Sequence, residues 1–333
     1  MIGSIFTRIR PYALPLAVLL ITWIVIATIT PSFRGAGSVY AVLEGFPLVG
    51  LVALGLAVTI IAGELDLSVG SMAALAAAIA VLTSPAGLVG SVLIATLVGT
   101  ALGALQGTLI GQLRINSLVF TIGTLILLRG LTYISTGNAP IMIQNIEMTD
   151  PLLDRYWIFS VSSIVALTVF MLVGLFLSYT RWGREIFAIG GARNEAIAAG
   201  VPRVRPLTSS FAISAGCASL AGALAATRGG SAAPQNYADL LLSGAAAALL
   251  GGISLYGGRG TVFNVALGVA VLTVVATGLA ARGSAASLVQ LVTGALLLTM
   301  IAIEFLAGRL TLRDTVFGAG LRRNSRDPTD TDD

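Results

Sequence analysis

Histidine and lysine are absent from this chain, and Cys217 is its single cysteine, so all 19 basic residues are arginines. A Ser-His-Asp triad, a Schiff-base lysine and a nucleotide-binding P-loop each require one of the missing residues. A zinc site built from histidine and cysteine, and a disulfide within the chain, are excluded on the same ground. The sequence therefore argues against an ATP-hydrolysing or metal-hydrolase role, and we expect no catalytic residue, no metal site and no cofactor in this chain.

Charge is scarce as well. Only 10% of the 333 residues are charged, whereas 56% are hydrophobic, and the mean hydropathy is +0.95. Soluble domains carry about 25% charged residues, so a soluble protein of this composition would lack the polar surface to cover its core. The 39 glycines favour close packing of helices in a membrane. The arginines stand singly or in short loop clusters, a distribution that does not predict nucleic-acid binding.

Apolar stretches of about 20 residues, enough to cross roughly 30 Å of hydrocarbon as a helix, recur along the chain. The first follows Arg8 and Arg10, exceeds the apolar region of a signal peptide and is predicted to be a retained span. The third is short and rich in alanine, and the eighth is interrupted by glycine. We predict an all-α polytopic integral membrane protein with about ten transmembrane helices over 12–29, 39–62, 69–84, 87–111, 117–135, 157–179, 207–227, 240–256, 261–281 and 286–307.

The distribution of arginine tests this number of spans. With the N-terminus inside and ten crossings, 14 of the 19 arginines lie in inner segments, four lie in outer segments, and Arg129 lies within a span. This matches the excess of positive residues that cytoplasmic loops carry. One span more or fewer before residue 180 would place the arginine-rich loop 180–206 outside. The sequence therefore predicts cytoplasmic termini, a single transmembrane domain over 1–310 and a polar, disordered cytoplasmic tail over 311–333.

The stretch 63–71 (GELDLSVGS) places two carboxylates and two hydroxyls between two apolar spans. Charges at membrane depth are costly and tend to face a protein interior or an aqueous cavity. One interpretation is that Asp66 or Ser68 caps the third helix by accepting hydrogen bonds from its free N–H groups. The other is a role in a pathway through the membrane, and the two interpretations are compatible.

The inner loop 180–206 contains an apolar stretch, IFAI, among charged residues. Such a stretch needs a surface against which to bury, and it predicts a short amphipathic helix bounded by Gly190-Gly191 and by the glycine at 200. This helix either docks into a groove of a soluble partner or lies at the membrane interface with its arginines on lipid phosphates. The residue pattern alone does not choose between them.

Three further features have structural interpretations. The glycine-rich stretch 250–261 is interpreted as a tight turn between two helices rather than a substrate site, because paired glycines permit sharp backbone bends. Arg129 is predicted either to extend outward toward the membrane surface or to pair with a buried carboxylate, and a structural pairing or a helix-end position is favoured over contact with the substrate. Cys217 lies in a run of small residues and is predicted to serve packing.

Four motifs occur in order from the second to the ninth span, and together they resemble those of the permease subunits of bacterial sugar ABC importers. The resemblance is to the ribose/xylose type, which includes autoinducer-2 permeases. Ala192 stands where relatives usually have asparagine, and Glu195 where they tend to have alanine, so fine contacts with an ATPase are expected to differ. The matching stretches are 63–71, 116–124 (NSLVFTIGT) with Arg129-Gly130 and Thr136-Gly137, 183–191 (GREIFAIGG) and 250–260 (LGGISLYGGRG).

The resemblance implies a membrane subunit that does no covalent chemistry and moves a monosaccharide or autoinducer-2 across the bacterial inner membrane. Its implied partners are a cytoplasmic ABC ATPase, which binds the ATP, and a second permease, either another copy or a related chain. A periplasmic solute-binding protein, which sets most of the specificity, and membrane lipid complete the implied partners, and no nucleic acid is expected.

The motifs and the resemblance define three groups of candidate site residues. The candidates for the translocation pathway are Glu64, Asp66, Ser68, Ser71, Asn116, Thr121 and Arg129. The candidates for the loop that couples to the ATPase are Gly183, Arg184, Glu185, Gly190, Gly191, Arg193, Asn194, Glu195 and Gly200. The candidates for helix breaks and gating are Gly251, Gly252, Gly257, Gly258 and Gly260.

Two alternatives from other classes stay open. A stand-alone secondary transporter or channel would need a titratable relay or ion site within its spans, for which the few candidates are Glu44, Glu64, Asp66, Arg129 and Glu304. A membrane scaffold subunit without a transport role would leave the glycine-rich breaks unexplained.

Overall fold

The computed structural model describes residues 2–299 and residue 302, with side chains from residue 12 onward. The described chain is almost entirely helical. Its helices are α1 Ile2–Ile29, α2 Ala36–Ile61, α3 Val69–Leu82, α4 Gly87–Leu113, α5 Ser117–Thr136, α6 Asp150–Leu153, α7 Val161–Tyr179, α8 Arg181–Gly191, α9 Arg193–Ala198, α10 Val204–Gly229, α11 Leu240–Leu250, α12 Val262–Ala280 and α13 Ala286–Thr299. Four two-residue strands form two antiparallel pairs, β1 Ile141–Met142 with β4 Ser231–Ala232, and β2 Arg155–Tyr156 with β3 Phe159–Ser160.

All ten predicted apolar stretches contain a helix. Among the described residues, seven helical segments are long and apolar enough to cross a membrane: those of α1, α2, α4, α5, α7, α10 and α12. The prediction of an all-α polytopic membrane protein is therefore confirmed. The apolar helices α3, α11 and the described part of α13 are shorter. The 14 residues of α3 rise about 21 Å, less than the hydrocarbon thickness of roughly 30 Å, so ten complete crossings stay a prediction.

The short helices differ from their predicted bounds for local reasons. The predicted span 69–84 ends at Leu82, where a 3₁₀ turn, Ser84–Ala86, begins the approach to α4. The predicted span 240–256 ends at Leu250, because the glycine pair that follows it starts a turn. Part of the tenth predicted span, Glu304 and the tail 311–333 lie outside the described residues.

Helices α2, α3 and α10 form the centre of the bundle. Of the 14 residues of α3, 12 are buried, and α2 and α10 bury about two thirds of their apolar windows. By contrast, α4, α5 and α7 each expose large apolar side chains on one face, such as Leu97, Ile126 and Met171. A water-facing surface would not carry such continuous apolar faces, so these helices face lipid or another membrane protein.

The α4 helix packs along α10 through glycines spaced four residues apart. A Cβ on Gly103 would overlap the carbonyl of Phe211, and one on Gly107 would overlap the carbonyl of Leu207. The two backbones therefore touch directly, as at other membrane helix interfaces built from small residues. The stripe consists of Gly99, Gly103, Gly107 and Gly111.

The long segment between α5 and α7 is fastened to the bundle. Its strand β1 pairs with β4, with Ile141 opposite Ala232. Arg228, in the last turn of α10, donates a hydrogen bond to the carbonyl of Leu152 and forms an ion pair with Glu44 of α2 at 2.8 Å. The predicted outer segment is thus tied to two central helices at their shared end.

The close packing of α4 on α10 at the glycine stripe can be tested by substitution. Replacing Gly107 with alanine should destabilise the protein by about 1–3 kcal/mol, because the added methyl group forces α4 away from the backbone of α10. The matched control is Gly123→Ala on α5, whose Cβ would meet nothing within 4 Å. There the same change should be neutral or stabilising by up to about 1 kcal/mol. Thermal unfolding in detergent compares the two variants, and equal melting temperatures would refute direct backbone packing.

Candidate functional site

Asp66 lies in the connection between α2 and α3 and is only 1% exposed. Its Oδ1 accepts hydrogen bonds from the backbone N–H of Ser68 at 3.0 Å, from the Ser68 hydroxyl at 2.6 Å and from Gln106 Nε2 at 3.3 Å. Its Oδ2 accepts a hydrogen bond from the Ser214 hydroxyl at 2.8 Å. Four donors thus surround one carboxylate, which compensates for its removal from water. We call Asp66, Ser68, Gln106 and Ser214 the Asp66 cluster, and it joins the start of α3 to α4 and α10.

The structure agrees in part with the interpretation that Asp66 or Ser68 caps α3. Ser68 occupies the N-cap position of α3, but its hydroxyl makes no hydrogen bond to the helix backbone. It donates to Asp66 instead, while Asp66 accepts from the N–H of Ser68 just before the helix begins. The local sequence indicated the correct helix start, whereas the tertiary contacts with α4 and α10 determined where both side chains point.

The other pathway candidates have different surroundings. Ser71 is buried in α3, and Thr121 is buried in α5 with its hydroxyl 3.4 Å from the carbonyl oxygen of Leu65. Asn116 is exposed and caps α5 by accepting from the N–H of Leu118 at 2.9 Å. Buried candidates therefore hold the 63–71 stretch in place, and Asn116 is accessible.

Arg129 is exposed inside α5. In the part of the chain that the structure describes, it makes no hydrogen bond and no ion pair, so the predicted pairing with a buried carboxylate is not found. The exposed position agrees with the alternative that Arg129 extends outward, because this face of α5 points away from the bundle. Cys217, by contrast, is buried and unbonded within α10, as its interpretation as a packing residue predicts.

Glu64 pairs with Arg193, and this pair connects two motifs that the sequence placed in different groups. Arg193 Nη2 lies 2.7 Å from Glu64 Oε1 and 3.5 Å from the carbonyl oxygen of Gly63. Glu64 is only 8% exposed, so the pair is partly shielded from water. A pathway candidate and a coupling-loop candidate, 129 positions apart in sequence, therefore belong to one site.

Glycines from three motifs meet beside this ion pair, and we call Gly63, Gly190, Gly191, Gly257 and Gly258 the glycine junction. A Cβ on Gly63 would lie 3.3 Å from the Cα of Gly190, and one on Gly257 would lie 3.0 Å from the Cα of Gly63. The junction lets three backbone segments touch without intervening side chains.

A backbone hydrogen bond fastens the glycine junction to α2. The N–H of Gly258 donates to the carbonyl of Ile61 at 2.8 Å, and a Cβ on Gly190 would overlap the same carbonyl. The last turn of α2 therefore contacts both the inner loop and the segment after α11 through main-chain atoms.

The stretch 250–261 is the turn that the sequence predicts, and it joins α11 to α12. Gly252, Gly257, Gly258 and Gly260 have positive φ angles, which L side chains rarely adopt. Gly251 has a negative φ but packs against the backbone of α12 at Asn264. The turn geometry therefore accounts for these glycines, and their role in gating stays a prediction.

The loop 180–206 forms two helices, α8 and α9, and its apolar stretch is buried within the protein itself. Ile186 and Ile189 are 0% and 1% exposed, and Gly183 packs on the backbone of α7 at Leu177. The bundle therefore covers Ile186 and Ile189, which neither interpretation of the sequence predicted, while docking of the segment 180–206 on a partner stays a prediction. Periodicity showed that the face needed a covering surface, and the bundle provides it.

The polar side of α8 and α9 is divided between internal ion pairs and exposed residues. Glu185 is buried and lies 3.0 Å from Arg181 Nε and 3.5 Å from Arg205 Nε. The remaining predicted coupling residues that face outward are Arg184, Gly191, Asn194, Glu195 and Gly200.

Positive charge accumulates next to the Glu64–Arg193 pair. Desolvation lowers the pKa of the Arg203 guanidinium from its usual value, and the positive charges of Arg193 and Arg114 lower it further, while Glu64 opposes them. Arg203 thus interacts electrostatically with two arginines and one carboxylate, so this end of the protein carries a surplus of positive charge.

Sequence reasoning missed Gln106 and overlooked the polar role of Ser214. The signal for Gln106 was present, because an amide in the middle of an otherwise apolar stretch needs a partner at membrane depth. Ser214 gave a weaker signal, since serine is common where membrane helices pack closely. Its role depends on the approach of α10 to the α2–α3 connection.

The role of Ser214 can be tested by substitution, with a matched control on the same helix. Ser214→Ala should destabilise the protein by about 1.5–3 kcal/mol, because it removes a hydrogen bond to a buried carboxylate. Ser219 is equally buried, yet its hydroxyl has no hydrogen-bond partner among the described residues. Ser219→Ala should therefore be neutral or stabilising. Differential scanning fluorimetry in detergent measures both, and the reverse order of stabilities would rule out the role assigned to Ser214.

Comparison with known proteins identifies the family. Residues 38–301 match the family model described as the branched-chain amino acid transport system / permease component. The L-arabinose ABC transporter permease protein AraH of Azospirillum brasilense is 30% identical over 262 residues, covering 77% of this chain and 76% of that protein. The ribose import permease protein RbsC of Escherichia coli K12 is 27% identical and covers 87% of this chain and 92% of that protein.

A third relative is named for the import of a different solute. The autoinducer 2 import system permease protein LsrC of Yersinia pseudotuberculosis is 35% identical over 227 residues, covering 67% of this chain and 64% of that protein. No solved structure matches significantly. The matched family is one of transport permeases rather than enzymes, in agreement with the missing catalytic residue types. The chain belongs to the branched-chain amino acid transport system / permease component family.

Proposed function

We propose that this protein is the membrane-spanning permease subunit of an ATP-binding-cassette importer in the bacterial inner membrane. Its cargo is a monosaccharide or related small polar solute, such as a ribose- or xylose-type sugar or autoinducer-2. The observation that carries the proposal is the ion pair of Glu64 with Arg193, which links the segment 180–206 to the connection between α2 and α3. The relatives named for import of arabinose, ribose and autoinducer 2 support the cargo class.

A separate ATPase supplies the energy and docks on the segment 180–206. The exposed residues Arg184, Asn194 and Glu195 are available for this contact. The surplus positive charge around Arg203 suits an acidic groove on the ATPase. Closure of the ATPase on ATP then displaces α8 and α9 as one unit.

The displacement reaches the bundle through the glycine junction and the Glu64–Arg193 pair. Because the junction consists of touching backbones, little movement is absorbed by side-chain rotation. The motion passes to the 62–68 connection and from there to the Asp66 cluster, which joins α3, α4 and α10. Asp66, Ser68, Ser71 and Thr121 therefore act by positioning helices.

The solute passes between this chain and a second permease, either another copy or a related chain. Arg129 is exposed on α5 and Asn116 is exposed at its N-cap, and these two pathway candidates can reach the solute or the second permease. A periplasmic solute-binding protein delivers the cargo to the opposite end, where the segment between α5 and α7 is fastened by Arg228.

A stand-alone secondary transporter is the second candidate, and it gains little support. In the described part of the chain, Glu44 pairs with Arg228, Glu64 pairs with Arg193 and Asp66 is held by four donors. These carboxylates are engaged in structural contacts rather than in an open relay.

A charge exchange tests the proposed function. The chain is expressed with the ATPase and binding-protein genes found beside its own, and uptake of radiolabelled D-ribose, L-arabinose, D-fructose and D-allose is measured. Uptake of one sugar should require an intact ATPase. Glu64→Arg and Arg193→Glu should each lower that uptake at least tenfold, because each leaves a partly buried charge next to a like charge. The double exchange should restore much of the uptake.

The control is Arg282→Glu, which reverses the charge of an exposed side chain outside this site and should leave uptake unchanged. Immunoblots of the membrane fraction confirm equal amounts of each variant. Uptake that persists without the ATPase would refute the importer, and failure of the double exchange to improve on either single variant would refute coupling through the pair.

Labelling of position 194 tests the orientation. Asn194 is exposed on α9, whereas the native Cys217 is buried, so Asn194→Cys provides one reactive thiol. A membrane-impermeant maleimide should label it in inside-out vesicles and not in intact spheroplasts. Labelling from the outer side would contradict both the ten-span topology and the cytoplasmic docking site.

A further inference from the structure

An apolar groove runs between the end of α7 and the start of α10, next to α8. It has a volume of about 730 Å³. Its walls are formed by Leu172, Val173 and Phe176 of α7 and by Ala212 and Ile213 of α10. Both helices belong to the set long enough to cross a membrane, so the groove opens sideways into the hydrocarbon. Its shape and lining match an acyl chain better than a water-soluble ligand.

The mouth of this groove is polar and carries a surplus positive charge. Trp182 of α8 and Arg205 of α10 line it. Arg205 shares Glu185 with Arg181, so two arginines are paired with one carboxylate. Tryptophan is enriched at the level of lipid headgroups, and arginine binds phosphate through several N–H donors. The mouth therefore offers a headgroup site at the end of an acyl-chain site.

We propose that this groove binds one anionic phospholipid of the inner leaflet. One acyl chain lies along α7 and α10, and the phosphate contacts Arg205, which shares Glu185 with Arg181. The proposal rests on the cytoplasmic placement of 180–206 in the proposed function. A zwitterionic lipid would leave the surplus charge of the mouth uncompensated, and a free anion would leave the apolar walls uncovered.

A second groove, on the other side of α7, provides an uncharged comparison. It has a similar volume, about 640 Å³, and lies between α7 and the start of α12, with Gly174, Val262 and Ala266 in its walls. Its lining contains no charged residue. It therefore lacks the headgroup site and serves as an internal control for non-selective occupation by lipid.

The site would connect membrane composition to coupling. The bound phosphate and Glu185 share the guanidinium of Arg205, and Glu185 belongs to α8. An anionic headgroup at this position holds α8 between α7 and α10, so it stabilises the helix that transmits movement from the ATPase.

Native mass spectrometry of the full-length protein tests the proposal. The detergent-purified protein is titrated with dioleoyl phosphatidylglycerol, dioleoyl phosphatidylcholine or inorganic phosphate. Phosphatidylglycerol should bind at least about fivefold more tightly than phosphatidylcholine, and phosphate should not compete with it. Arg205→Gln should weaken the preference about fivefold, the contribution of one arginine near an anionic lipid surface.

Two alanine substitutions keep the test independent of the ion pairs. Ala212 and Ala266 are both partly buried and line the charged and the uncharged groove, respectively. Ala212→Phe should fill the charged groove and abolish tight binding of phosphatidylglycerol, whereas Ala266→Phe should leave it intact.

Equal binding of the two lipids, competition by phosphate, or unchanged binding by Ala212→Phe would each overturn the proposal. The measurement is made in detergent and without transport, so its failure is distinguishable from a failure of the topology. Labelling of position 194 from the outer side would contradict the placement in the inner leaflet, even if the groove binds the anionic lipid in detergent.

Discussion

The burial of one carboxylate constrains the arrangement of the central helices. Asp66 is held by Ser68, by Gln106 of α4 and by Ser214 of α10, and a buried charge that lost these donors would be strongly destabilising. All three residues can reach Asp66 only if α4 and α10 lie close together. The glycine stripe of α4 permits that approach, so the polar cluster and the backbone packing depend on each other.

Close backbone contacts without intervening side chains also underlie the proposed route by which movement crosses the protein. At the glycine junction, α2, the end of α8 and the turn after α11 touch through main-chain atoms, and a hydrogen bond from Gly258 to Ile61 fixes their register. Backbone contacts have few alternative conformations, unlike contacts between long side chains. In the proposed function, a displacement of α8 would therefore be passed on to the neighbouring segments, and the Glu64–Arg193 pair adds a second connection to the same 62–68 segment.

The apolar helix faces of the molecule differ in what covers them. The apolar face of α8 is covered by the bundle, while the exposed faces of α4, α5 and α7 require lipid or another protein. The apolar residues of this face are set among arginines, a pattern that predicted burial against a partner or lipid. The residue pattern correctly indicated an amphipathic helix. A pattern of this kind indicates that one face must be buried, but it does not identify the surface that buries it.

The amino-acid sequence by itself determined the all-α membrane class, the positions of ten apolar helices and the turn at 250–261, because hydropathy and glycine act locally along the chain. It also contained the four motifs that indicated the permease family. Only the tertiary structure decided that Glu64 belongs with Arg193 and that Gln106 and Ser214 hold Asp66, and it left Arg129 exposed. These residues lie far apart in the chain, and their contacts depend on how closely the helices pack, a property that no local pattern specifies.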